Sequence, residues 1–167
     1  MKVFWVPNAD ALLAIVTARF VNIYDVSTDT ICPVVALQPR AGNSICAATV
    51  AFDSSDTRAI LVMMQDGSLY SHPLPGTLGG LDGPVTIERE LVVPPAIRGT
   101  AGRRVFFSAR SRVVLCGYEN GAALLRLSPD LSSVVEAAPL DFRSPHVVQV
   151  HPYPVPQTLN PQPSTPT

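Results

Sequence analysis

Three histidines, three cysteines and one short basic run are the residues of this 167-residue chain whose types invite a question about chemistry. His72, His146 and His151, with Cys32, Cys46 and Cys116, form the metal-ligating set. Zinc sites declare themselves by closely paired ligands such as Cys-x-x-Cys, and no such pair occurs. His146 and His151 lie five apart on one expected strand, where an odd separation turns side chains to opposite faces. The cysteines sit in apolar surroundings far from one another and read as reduced core thiols. No Gly-x-Ser-x-Gly elbow marks a nucleophile. The Gly-rich stretch at 76–83 has no Lys and no following helix, so it reads as a flexible loop and not as a phosphate cradle. Arg98, Arg103 and Arg104 remain, placed by this reading in the loop that enters the third structural unit. They are the candidate partner-binding residues, suited to an acidic segment, against the alternative of a solvated loop. No catalytic residue, cofactor or metal site is expected.

The totals narrow the partners. Twelve Lys and Arg against thirteen Asp and Glu give a net charge of −1, so no overall field draws the chain to nucleic acid. No stretch reaches the roughly 18 apolar residues of a membrane helix, and the first residues lack the core and cleavage site of a signal peptide. The expectation is a cytoplasmic or nuclear chain without membrane insertion, whose partners are other protein segments.

The elements that would position these residues are strands. Apolar segments are short, rich in Val, Ile, Leu and aromatics, and broken by Asp, Asn, Ser, Gly or Pro. Seventeen prolines argue against long helices. The chain divides into a recurring four-strand unit. The first would use residues 3–6, 12–16, 20–26 and 31–37, the second 45–52, 60–64, 68–74 and 85–93, and the third 105–108, 113–118, 122–127 and 133–138. Residues 146–151 would open a fourth. Asp66-Gly67 and Asn120-Gly121, 54 residues apart, mark the central hairpins as tight turns with positive φ. Ala18-Arg19 holds that place in the first unit.

A four-stranded blade cannot cover both of its apolar faces alone, and a propeller solves this by stacking blades around a channel. The expected fold is therefore all-β: a partial β-propeller of about three four-stranded antiparallel blades (1–40, 44–95 and 103–141), the first strand of a fourth (145–151), and a Pro-rich disordered tail at 152–167. Its missing partners would be the remaining blades of a longer parent chain, and the tail reads as a truncated or misjoined end. Phe106 or Phe107, whichever faces inward, is expected in the core, while Trp5 is left between core and interface.

Within Phe20-Val21-Asn22-Ile23-Tyr24-Asp25-Val26, Tyr24-Asp25 falls where WD repeats carry Trp-Asp, although the other units have His72-Pro73 and Arg126-Leu127 at that place. Read as a whole, LLAIVTARFVNIYDVSTDTICPVVALQPR, AILVMMQDGSLYSHPL and VVLCGYENGAALLRLSPDLSSVVEAAPL resemble the degenerate propeller region of the giant UBR-type ubiquitin-protein ligases of the calossin/pushover/BIG family. The likeness spans roughly residues 10–140. It implies a non-catalytic scaffold that recruits partners or substrates for ubiquitylation, because the family's zinc box and catalytic module require Cys and His pairs that are not in this sequence. A structural spacer without a direct ligand is the alternative. A propeller hydrolase would need inward carboxylates or histidines from several blades, and the first strands offer only Asp53.

Overall fold

The computed structural model describes residues 1–28, 31–53, 57–74, 84–87, 89–95 and 98–140. The expected fourth-unit strand, the Pro-rich tail, the Gly-rich stretch 76–83, His146 and His151 all lie outside the described residues.

Thirteen strands and no helix make up the described chain. Strands β1 (Lys2–Trp5), β2 (Leu12–Val16), β3 (Val21–Asp25) and β4 (Val35–Gln38) form an antiparallel meander, the first sheet. The second contains β5 (Ile45–Phe52), β6 (Arg58–Met64), β7 (Leu69–Leu74) and the two-residue β9 (Glu90–Leu91). The third is β10 (Gly102–Ser108), β11 (Val113–Tyr118), β12 (Gly121–Leu127) and β13 (Val134–Leu140). None of the three closes on itself, and the whole is the all-β, partial-propeller-like arrangement expected from the sequence.

The middle sheet explains the order of the stack. Along β6, Ile60, Val62 and Met64 enter one core with sheet 1, whereas Ala59, Leu61 and Met63 enter a second core with sheet 3. A strand covered on both faces needs a continuous apolar run, and Ala59-Ile60-Leu61-Val62-Met63-Met64 supplies one. Strand β11 has one well-covered face, and its burial alternates accordingly.

Two kinds of docking join the sheets, and the first occurs twice. The Ile45 amide, opening β5, donates to Ala18 O (2.9 Å) in the β2–β3 turn, and the Gly102 amide, opening β10, donates to Gln65 O (3.1 Å) in the β6–β7 turn. The second and third sheets thus each begin on the central hairpin of the sheet before it. Between sheets 2 and 3 the Ser71 hydroxyl donates to Leu131 O at 2.9 Å inside the core. Leu131, fully buried with φ +58°, is held in the left-handed region by that packing and by its own amide bond to Ser128 O.

Several local expectations are corrected. Residues 85–93 are not one strand of the second unit. Val85–Thr86 (β8) pairs in parallel with Leu37 and Gln38 of sheet 1, and only β9 joins sheet 2. Ile87 is buried in the first core while Leu91 and Val93 enter the second, so this segment straps two sheets together. At Asp66-Gly67 only Gly67 has positive φ (+83°), with the turn closed by Gly67 N to Met64 O and Met64 N to Ser68 O. Asp66 accepts bonds from the Ser68 amide and hydroxyl, which fixes the turn without a left-handed Asp. In the third sheet the turn residues are Glu119-Asn120, since Gly121 already pairs with Tyr118.

The cysteines also differ from expectation, because only Cys116 is buried. Cys32 is exposed, as β4 begins only at Val35. Cys46 is exposed on β5, an edge strand. Burial pushes the Cys116 thiol up to about 12, which keeps it protonated and inert.

A cationic cleft at the first strands

Strands β1, β5 and β10 are the first strands of their sheets, and among the described residues each pairs on one side only. Where they converge they line a cleft of about 460 Å³. Two of them carry the same irregularity. Between Ile45 and Ala47 the pairing of β5 with β6 slips, leaving Cys46 as the extra residue; between Gly102 and Arg104 the pairing of β10 with β11 slips, leaving Arg103. A bulge bends its strand and re-aims a side chain, and both Cys46 and Arg103 line the cleft.

The basic residues singled out in the sequence do not act as one loop cluster. Arg103 and Arg104 lie on β10 itself, because that strand starts at Gly102 and not at 105 as expected. Arg98 is elsewhere: its guanidinium meets Glu90 at 3.3 Å and Asp66 at 4.0 Å, tying the strap to the β6–β7 turn. Arg103 meets Glu119 at 2.8 Å. Arg104 has no carboxylate partner among the described residues. The cleft gains Lys2 instead, whose ammonium donates to Ala48 O at 3.3 Å and sits 5.0 Å from the Phe4 ring centroid. Burial, then the Arg104 charge, holds the Lys2 pKa below the usual lysine value. The Cys46 thiol donates to Met63 O at 3.3 Å, and desolvation raises its pKa, opposed by Arg103.

Val16, Ile45, Ala47, Val105 and Phe106 supply apolar wall. Sequence reasoning missed Lys2, Cys46 and Phe106 as neighbours of the arginines. The signal available was positional: Ile45-Cys46-Ala47 and Gly102-Arg103-Arg104 are equivalent openings of two repeats. Phe107, not Phe106, is the one packed against the core, with its ring edge-on to Phe52 at 6.0 Å. Trp5 is 58% exposed. His72 is half-buried in β7, and desolvation followed by the Arg89 charge lowers its pKa. Among the described residues no three of His, Cys, Asp and Glu gather as a metal site would need. Asp53 lies at the far end of β5 from the cleft and accepts the Thr57 amide in the β5–β6 turn.

Tyr118 is buried; its hydroxyl neighbours the Cys116 thiol but has no partner in hydrogen-bonding geometry among the described residues, and desolvation, followed by Cys116, raises its pKa. A buried hydroxyl without a partner costs about 1–3 kcal/mol. Tyr118→Phe is therefore expected to leave stability unchanged or raise it by about 1 kcal/mol, read as the urea midpoint; a loss above that size would reveal a bond to the hydroxyl.

No protein-family model matches this sequence. Its fold is similar to that of chains in a humanized mutant of the Chaetomium thermophilum Polycomb Repressive Complex 2 bound to an inhibitor (TM-score 0.57, 17% identity, 77% of this chain and 28% of that one). In apo ctPRC2 in an autoinhibited state the corresponding values are 0.55, 17%, 77% and 29%. At that identity the likeness concerns the fold alone. The sequence is 33% identical over 133 residues to the auxin transport protein BIG of Oryza sativa subsp. japonica, covering 79% of this chain and 3% of the rice protein. Over that stretch the chain belongs to the BIG family, as the counterpart of one short segment of a very long relative.

Proposed function

We propose that this chain is a non-catalytic protein-interaction scaffold: part of a β-propeller in a long ubiquitin-protein ligase of the cytoplasm, recruiting partners or substrates for ubiquitylation. The observation that carries the reading is the stack itself, whose two outer sheets present apolar faces that no further sheet among the described residues covers. On sheet 1, Val3 (48% exposed) and Trp5 (58%) adjoin half-buried Leu13, Ile15 and Tyr24. On sheet 3, the cross-strand row Leu115, Leu124 and Ala138 faces away from the second core. Faces of this kind suit neighbouring blades, and the matched segment is 3% of the rice relative, which leaves ample sequence to supply them.

Immobilised chain is expected to retain a reproducible set of proteins from plant-cell extract, and the R103E/R104E variant, which leaves the Arg98 contacts to Glu90 and Asp66 intact, to lose part of that set. A spacer predicts the same proteins on both surfaces and on a bare control.

A further inference from the structure

The cleft between the first strands is built to attract an anion and to hold chain beside it. Two of its cations, Lys2 and Arg104, have no carboxylate partner among the described residues, and the third, Arg103, shares Glu119 at the exposed rim. Like charges brought together at a partly desolvated site are unfavourable until a counter-charge arrives, and the depressed Lys2 pKa has that cause as its second contribution after burial. No carboxylate is among the described residues lining the cleft.

The remaining wall distinguishes among anions. A nucleic acid backbone is met by rows of cations and stacking aromatics over a long track, whereas here Lys2 and Arg104 adjoin Val16, Ile45, Val105 and Phe106. Each first strand also keeps one edge without a strand partner among the described residues, where an extended peptide can find backbone donors and acceptors. The volume, about 460 Å³, is in the range of a small-ligand site and fits a few side chains. From this geometry we infer that the cleft binds an extended acidic peptide segment, one carboxylate meeting Arg104 and Lys2 while a neighbouring apolar side chain packs on half-buried Phe106. The inference rests on the binding-module reading and names the chemistry of its partner.

The test is fluorescence anisotropy of the full chain with a labelled peptide of alternating Glu and Leu. Binding is expected to weaken at least tenfold in Arg104→Gln and in Lys2→Gln, and to weaken as salt rises from about 0.1 to about 0.5 M. Arg126→Gln, which removes an exposed pair with Glu136 on another part of sheet 3, is expected to leave it unchanged. Equal binding of a Gln/Leu peptide, insensitivity to Arg104→Gln, or preference for a single-stranded oligonucleotide or inorganic phosphate would overturn the inference. Should the peptide fail while capture from extract persists, this cleft is excluded and the scaffold reading stands; should both fail, the scaffold reading falls as well.

Discussion

Leu61→Ala is expected to lower the unfolding free energy by about 2–5 kcal/mol, the range for a buried Leu truncated in a core that relaxes only in part. Leu61 is fully buried at the centre of β6, paired across the sheet with Thr49 and Ser71, and its side chain belongs to the core between sheets 2 and 3. Few changes separate the stacked reading from three loosely associated sheets as directly. Leu115→Ala deletes the same atoms from the outward face of sheet 3, where the residue is half-buried, and is expected to lose only about 1 kcal/mol. Urea titrations of both variants, followed by far-ultraviolet circular dichroism, measure the contrast. Equal losses would mean that the sheet 2–sheet 3 core is not the principal support of the fold.

Gly102→Ala has the second large effect, and it acts on the docking between sheets. A Cβ built at Gly102 meets Met64 O at 2.3 Å and Met63 Cγ at 2.6 Å. Backbone cannot yield as a side chain end can, so the start of β10 must move away from the β6–β7 hairpin. The Gly102 amide would then lose its bond to Gln65 O. Overpacking of this kind costs about 1–3 kcal/mol, with the lost hydrogen bond adding about 1 kcal/mol. On the neighbouring strand, a Cβ placed at Gly117 meets nothing nearer than 3.7 Å, so Gly117→Ala is the matched control and should be nearly neutral. Thermal unfolding of the pair checks this, and equal midpoints would place the sheet-to-sheet docking elsewhere.

Much of the strand pattern is legible in the sequence because its causes are local. Residues 12–16, 45–52 and 113–118 alternate or run apolar between turn residues, and they form β2, β5 and β11 with those bounds. The segment 85–93 misleads because two apolar patches, Val85 to Ile87 and Leu91 to Val93, look like one strand. Only tertiary pairing shows that they belong to different cores. Cys32 and Cys46 mislead for a related reason: apolar neighbours in sequence do not say which residue falls beyond a strand's end or on a bulge at a sheet edge.

The site is half legible. Arg103 and Arg104 stand out by charge, but their company does not. Lys2 reaches them across more than a hundred residues of sequence, and the two bulges that bring Cys46 and Arg103 to the same cleft are set by pairing register, which has no single-residue signature. Arg98 looks like part of the same basic run, yet Glu90 and Asp66 hold it at the strap.

The three sheets form one stack through two cores, and the proposed function requires its end faces to receive further blades. Hydrogen exchange of the chain alone, and of a longer chain carrying the flanking sequence of the rice relative at both ends, tests it most directly. In the short chain the amides of β6 and β7, covered on both faces, should be the slowest to exchange, with β1 to β3 and β11 to β13 faster. In the longer chain the outer sheets should gain protection while β6 changes least. Uniform strong protection of the short chain, unaltered by the added sequence, would contradict the account and show a domain that is complete with its end faces open.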